Sequence, residues 1–277
     1  PHPAPTTPSD ARSHDSPDRE GAAHPAHRMV VAVLALLACP GLIVTSPRAS
    51  PSPNLALTAR TPAPLLSTAA GEQEARIRAD LEGSKKSAAT ASFEDAQVLG
   101  RRLATILADS CAAGEEMPAE AVEVLRALIS TTSGARGWFV TLLTDPAYDA
   151  VFCPPLDPQL LSAIEASPDP NLKLLTMNVA MSTATELVHI DNGSDELAAA
   201  SRLTRDRSRA LLEALLPRMG GLDAEVRRLR TACEPWAAGD QPAAGADEEW
   251  VKFTKKWRYG AEQRRAIKAE LDALLEA

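Results

Sequence analysis

The sequence has few of the side chains on which most enzymes depend. Beyond residue 71 it contains one histidine, His189, and neither a GxxxxGK[ST] nor a GxGxxG motif. A site with several histidine ligands is therefore excluded there, and a Ser-His-Asp or Cys-His arrangement would have to use His189. The missing glycine motifs leave no loop of the kind that cradles phosphate. We accordingly predict no catalytic residue, no metal and no cofactor.

Cysteine is also scarce beyond the first 71 residues. It occurs there at three positions, Cys111, Cys153 and Cys233, which are far apart and form no CxxC pair. A disulfide framework or a zinc site would show a different pattern. The distribution favours a reducing compartment.

Acidic residues are absent from residues 29–71. This segment begins with the apolar run Met29–Val44, which is shorter than the roughly 20 residues of a membrane-spanning helix. It continues into a stretch rich in Ser, Thr, Ala and Pro, which is the composition of a transit peptide. We predict a signal-like apolar core followed by a transit-like targeting segment. The destination would be a plastid (chloroplast), in the stroma, with the thylakoid lumen or secretion as alternatives.

Residues 1–28 differ from the targeting segment because they carry four acidic side chains. Transit peptides avoid acids. We therefore assign these residues to a disordered stretch or to sequence upstream of a true start at Met29.

The chain from residue 72 onward is acidic, rich in alanine and leucine, and poor in glycine. It has 24 basic and 33 acidic side chains, a net charge of −9, which would repel the phosphates of double-stranded DNA. This composition predicts an all-α fold. We expect one bundle-like domain of about seven or eight helices around a buried central helix. Its predicted parts are a charged helical arm at 72–91, a helical core at 92–234, a linker at 235–247 and a basic-aromatic helical segment at 248–277.

Several helix starts are marked by local signals. Ser92-Phe-Glu-Asp95 is a capping box. The dipeptide Asp-Pro occurs three times, and in each case the aspartate can cap a helix whose first turn contains the proline. These pairs begin at Asp145, Asp157 and Asp169.

The helix predicted at 170–190 is unusual because residues 174–185 carry no charge on any face. A helix without a charged face is usually buried at the centre of a bundle. Its polar side chains Asn178, Ser182 and Thr183 would then need internal hydrogen-bond partners.

A small glycine pair precedes an apolar segment. We expect Gly134 to stop one helix and Gly137 to interrupt the chain before Trp138. The glycines would allow close packing. Alternatively, Arg136 and adjacent backbone N–H groups would bind an anion.

The carboxy-terminal segment has the strongest local charge asymmetry in the chain. Seven basic side chains fall within 17 residues that contain one acid, Glu262, and aromatic residues are interleaved with them. Such a combination favours a protein interface, an anionic membrane surface or single-stranded nucleic acid. Alternatively, the aromatics anchor the terminal helix and the basic residues are merely solvated. The predicted interaction surface is Trp250, Lys252, Phe253, Lys255, Lys256, Trp257, Arg258, Tyr259, Arg264, Arg265 and Lys268.

Three further segments are distinctive, Gly134–Asp145, Asn178–Ala184 and Trp257–Ile267. They resemble a group of uncharacterised helical proteins of cyanobacteria and plastids. The resemblance covers roughly residues 92 to 270, and it implies an all-helical fold and a plastid setting. It implies no activity and no catalytic residue.

Our leading hypothesis is a plastid-targeted, non-enzymatic interaction or assembly factor with one or more protein partners. The arginine face of residues 202–209 would extend its docking surface. Such a protein could also make peripheral contact with an anionic membrane. One alternative is a small-molecule enzyme with a carboxylate or Arg136 site near the central helix. The other is a single-stranded nucleic-acid binder that uses the basic carboxy-terminal segment. The oligomeric state is not specified.

Overall fold

The computed structural model describes residue 81, residues 83–238 and residues 240–276. The predictions for residues 1–28 and 29–71, and for residues 72–80 and 82 of the arm at 72–91, lie outside this part of the chain. Residues 83–88 of the arm are helical.

The described residues form an all-α fold, as the composition predicts. No β-strand occurs among them, and the pairing of Ala237 with Gln241 is an isolated bridge. Besides the stretch at 83–88 there are nine bounded α-helices and one 3-10 helix, somewhat more than the seven or eight expected. They are α1 (Phe93–Ala113), α2 (Ala119–Ile129), α3 (Thr132–Thr144), the 3-10 helix (Pro146–Phe152), α4 (Pro158–Glu165), α5 (Pro168–Asp191), α6 (Asp195–Leu215), α7 (Leu222–Ala232), α8 (Glu248–Lys256) and α9 (Ala261–Glu276).

Local capping signals explain several helix boundaries. The Ser92 hydroxyl accepts a hydrogen bond from the Asp95 N–H (3.1 Å) and donates one to the Asp95 carboxylate (2.9 Å), which confirms Ser92 as the N-cap of α1. Asp157 caps α4 by accepting from the Leu160 N–H at 2.8 Å. Gly114, with φ of +72°, ends α1 in the left-handed conformation that glycine adopts without strain.

The third Asp-Pro pair does not start its helix as predicted. The N-cap of α5 is Ser167, so Asp169 lies in the first turn. Asn171 gives the structural reason, because it is fully buried and its amide donates to Ser167 O (2.7 Å), Ile129 O and Ile164 O. It thus joins the carboxyl ends of α2 and α4 to the first turn of α5.

Helix α5 occupies the centre of the bundle, which confirms the prediction. It packs most extensively on α6 and also contacts α3, α4, α7 and α9. Its buried hydroxyls bond within the helix, with Ser182 Oγ donating to Asn178 O (2.6 Å) and Thr183 Oγ1 to Val179 O (2.7 Å). Asn178 itself is half-buried, so one side of α5 reaches the surface.

The glycine pair is placed differently from the prediction. Helix α2 ends at Ile129, and both Gly134 and Gly137 lie inside α3. Both are buried where α3 meets its neighbours, and a Cβ at Gly137 would lie 2.5 Å from Ala96 Cβ on α1. These glycines serve close packing between helices and do not interrupt the helix.

The carboxy-terminal helices form one side of the domain. Helix α7 packs on α8 and α9, and α9 packs in turn on the central α5. Trp236, in the predicted linker, packs against the core. Within the described residues, no helix is both long enough and apolar enough to cross a bilayer.

Candidate functional site

Helix α8 begins at a strong cap and turns its aromatic residues inward. Asp247 accepts hydrogen bonds from the N–H groups of Glu249 (3.0 Å) and Trp250 (3.1 Å). Trp250 is 0% exposed, and its indole Nε1 donates to Glu225 on α7 at 3.0 Å. Phe253 packs edge-on against Trp250, with ring centroids 5.2 Å apart. The amphipathic pattern of α8 therefore anchors it to the core.

The turn after α8 is also buried on one side. Tyr259 is 3% exposed and Arg264 is 8% exposed. Arg264 Nη1 donates to Tyr259 O at 2.6 Å, and its guanidinium lies 3.9 Å from the centroid of the Trp236 ring. Burial raises the pKa of the Tyr259 phenol, so this group is neutral at physiological pH.

Three members of the predicted interaction surface are consequently interior residues. Trp250, Tyr259 and Arg264 cannot contact a partner in this conformation because neighbouring side chains cover them. The sequence pattern did not separate them from the exposed residues because aromatic and basic side chains alternate on a short segment. The side chains that cover them belong to α7 and to the segment around Trp236.

Two of the remaining basic residues are neutralised by their own chain. Lys252 forms an ion pair with Glu248 at 2.8 Å. Lys268 forms one with Asp272 at 2.6 Å and lies 3.9 Å from Glu234. Both lysines therefore contribute little free positive charge to the surface.

Four basic side chains of this segment are exposed and have no ion pair with an acidic residue in the described part of the chain. The lysines rest on aromatic faces, Lys255 at 5.4 Å from the Trp236 centroid and Lys256 at 6.0 Å from that of Trp257. Such cation–π contacts leave the positive charge available. We call Lys255, Lys256, Arg258 and Arg265 the C-terminal basic surface.

Arg258 occupies an unusual backbone conformation within this surface. Its φ of +55° is left-handed, a region that favours glycine. The Tyr259 N–H donates to Thr254 O and the Arg258 N–H to Lys255 O, both at 3.0 Å. This is the hydrogen-bond pattern that closes a helix at a left-handed residue.

The arginines of residues 202–209 do not form an outward-facing basic surface. Arg202 and Arg205 both pair with Glu186, which is 6% exposed. Arg209 pairs with Glu213 at 2.7 Å and with Glu270 at 3.3 Å.

Arg207, the fourth of these arginines, is 2% exposed. It donates to Leu142 O (3.0 Å) and Asp145 O (2.8 Å) and also bonds the Asp149 carboxylate. The prediction is therefore wrong for Arg207, which is interior, whereas a docking role of Arg202, Arg205 and Arg209 stays a prediction.

The side chain of Arg136, the candidate anion site, packs against an aromatic ring of α1. Its guanidinium lies 5.5 Å from the centroid of Phe93, and the side chain is half-buried. At the start of α3 the Thr131 hydroxyl already accepts from the Gly134 N–H at 3.1 Å. The anion site at Arg136 stays a prediction.

The remaining reactive side chains are dispersed. His189 is 3% exposed, and burial lowers its pKa, which favours the neutral imidazole. Burial raises the pKa of the Cys233 thiol to about 12. Among the described residues, no group of three or more His, Cys, Asp or Glu side chains is arranged to hold a metal ion.

Comparison with known proteins gives one match. No curated protein matches this sequence. No solved structure matches it either. A family model matches residues 92–274, from the capping serine of α1 to the last turns of α9. The chain therefore belongs to the family described as uncharacterised conserved protein UCP020893.

Proposed function

We propose that this protein is a non-enzymatic interaction or assembly factor that docks an acidic protein surface on its C-terminal basic surface. The observation that carries the proposal is the set of four exposed cations without an acidic partner among the described residues, on a chain whose charge from residue 72 onward is −9. Most other basic side chains of the bundle are paired internally. Complementary charge steers association and selects partners.

The packing of the aromatic residues favours a protein partner over a single-stranded nucleic acid or an anionic membrane surface. Binding of single-stranded nucleic acid depends on aromatic faces that are open to bases, whereas Trp250 and Tyr259 are buried. Insertion into a membrane surface depends on exposed apolar side chains. The large hydrophobic residues that are exposed in the described chain, Val98, Ile190 and Leu197, lie outside this segment.

The conformation of Arg258 supports a role in binding. A left-handed non-glycine residue costs about 1–2 kcal/mol, and such outliers concentrate at functional sites. Glycine would close α8 with less strain, but it would remove one of the four cations.

The composition of the predicted targeting segment supports a plastid setting for this proposal. The acid-free composition of residues 29–71 is that of a transit peptide. We propose that the protein acts in the plastid stroma, and that its relatives include the helical proteins of cyanobacteria and plastids that it resembles.

Charge reversal tests the docking surface. We expect the triple variant Lys255→Glu, Lys256→Glu, Arg258→Glu to lose the proteins that co-purify with the tagged full chain, as measured by quantitative mass spectrometry. The reason is that like charges replace complementary ones at the contact. Capture by the unmodified chain should also weaken as ionic strength rises.

A matched control separates this local effect from a change of net charge. The variant Lys86→Glu, Arg101→Glu, Arg227→Glu alters three exposed basic residues elsewhere by the same total charge. It should retain the partners. Equal capture by both triple variants and the unmodified chain would exclude the surface. Retention of single-stranded RNA or anionic vesicles in place of proteins would identify a different class of partner.

Substitution of Arg258 alone should distinguish the effect of its left-handed backbone on stability from the effect of its charge on binding. We expect Arg258→Gly to raise the free energy of unfolding by about 1 kcal/mol in urea titrations, because glycine relieves the left-handed strain. The same variant should capture less partner. Arg258→Lys keeps both the charge and the strain, so its stability and capture should stay near those of the unmodified chain. An Arg258→Gly protein that is stabilised and binds fully would show that this cation is not part of the contact.

A further inference from the structure

Two of the three cysteines in the described chain are brought to neighbouring segments by the fold. Cys111 lies in the last turn of α1, and Cys153 follows the 3-10 helix directly. Both thiols are free, and Cys153 is exposed while Cys111 is half-buried. Their separation in the sequence gives no sign of this arrangement.

Contacts on both sides of the cysteines fix the relative position of the two segments. The 3-10 helix packs on α1, and the Tyr148 hydroxyl donates to Arg101 O at 3.3 Å. At the other end, the Met117 N–H donates to the Asp157 carboxylate at 2.9 Å. Residues 148–157 therefore run alongside residues 101–117 in the same direction.

Each cysteine lies near the middle of its segment. Cys111 falls between Arg101 and Met117, and Cys153 falls between Tyr148 and Asp157. A second polar contact, Gln159 Nε2 to Glu116 at 2.9 Å, holds the far end in place. The two cysteines thus lie on neighbouring segments of the fold.

The electrostatics of Cys111 agree with this placement. Burial raises the pKa of the Cys111 thiol, and Asp157 and Cys153 each raise it further. An electrostatic effect of Cys153 on Cys111 agrees with the neighbouring position of the two segments, because such interactions decline with distance. The Cys153 thiol donates a weak hydrogen bond to Asp149 O at 3.8 Å.

We propose that Cys111 and Cys153 form a reversible intramolecular disulfide that ties the end of α1 to the segment after the 3-10 helix. The oxidant is a disulfide, either a small molecule or a protein. The thiolate of the exposed Cys153 attacks one sulfur of that disulfide, which forms a mixed disulfide and releases one thiol. The Cys111 thiolate then attacks the sulfur of Cys153 and releases the second thiol. The protein loses two thiol protons and two electrons, and the oxidant becomes two thiols.

The test treats the purified full chain with oxidised glutathione, alkylates the remaining thiols and maps the peptides by mass spectrometry. We expect a peptide pair linked through Cys111 and Cys153, which dithiothreitol separates. The closed loop should raise Tm by roughly 10 °C, because the crosslink restricts the unfolded chain. The variant Cys233→Ser should form the same link.

Replacement of Cys111 alone tests whether it is the thiol that resolves the mixed disulfide on Cys153. In Cys111→Ser we expect glutathione to remain attached to Cys153, because the resolving thiol is missing. A stable glutathione adduct on Cys153 of the unmodified chain would overturn the proposal, as would a link to any other cysteine. A Cys111–Cys153 link that lowers Tm would also overturn it, since the thiols would then meet only in a distorted fold. The outcome is independent of the C-terminal basic surface.

Discussion

Replacing Gly137 by alanine is expected to lower the free energy of unfolding by about 3 kcal/mol and Tm by roughly 10 °C. The added Cβ would lie 2.5 Å from Ala96 Cβ and 2.9 Å from Phe93 O. Neither neighbour can move aside, because one is a methyl group without rotamers and the other belongs to the backbone. Helices α1 and α3 would have to separate. Thermal and urea unfolding of the purified variant would measure the loss.

Gly100 provides a matched control on the other side of the same helix contact. A Cβ at Gly100 would meet its nearest atoms, Thr141 Oγ1, Trp138 Cα and Gly137 O, at 3.4 to 3.7 Å, which is ordinary contact. Alanine is also favoured over glycine inside a helix by about 0.5–1 kcal/mol. Gly100→Ala should therefore be neutral or stabilising. Equal loss of stability in both variants would show that close approach at Gly137 does not decide the packing.

Replacing Arg207 by alanine is expected to cost about 3 kcal/mol of stability. The guanidinium satisfies Leu142 O and Asp145 O, and it lies 4.9 Å from the centroid of Phe152. Its removal leaves two carbonyl groups without this donor and opens the contact between α6 and the 3-10 helix. Hydrogen exchange should become faster across residues 145–153, and equilibrium unfolding should report the change in free energy.

Two further substitutions locate the origin of this effect. Asp149→Ala leaves the buried guanidinium without its acidic partner but keeps its bonds to Leu142 O and Asp145 O, so it should cost less than Arg207→Ala. Arg227→Ala removes an exposed arginine that pairs with Asp223 on the same helix and should have a small effect. If Arg207→Ala were no more harmful than Arg227→Ala, the buried contacts of Arg207 would not stabilise the fold.

Much of the fold could be predicted because its signals are local. The Ser92 capping box, the Asp157 cap and the uncharged stretch of α5 each report on residues within a few positions of one another. The predicted start of α5 is wrong because two possible helix starts, Ser167-Pro168 and Asp169-Pro170, follow each other in the sequence. Asn171 decides between them through carbonyl groups of α2 and α4, which no local pattern reveals.

The candidate site was predicted only in part. The concentration of positive charge in the last 30 residues was evident, and four of the eleven proposed residues form the C-terminal basic surface. Trp250 and Arg264 were assigned to the same surface because composition does not distinguish an anchoring side chain from a docking one. Their burial depends on Glu225 and Trp236, which belong to other segments.

The sequence by itself determined the helical class, the main helix caps and the positive charge of the carboxy-terminal segment, since these follow from propensity and from contacts within one or two turns. The tertiary structure decided which polar side chains are interior. Helical periodicity gives each helix a pattern of faces, but the neighbouring helices determine which face is covered. The burial of Arg207 and the packing of the segments that carry Cys111 and Cys153 arise from contacts between distant residues, and such contacts leave no local trace in the chain.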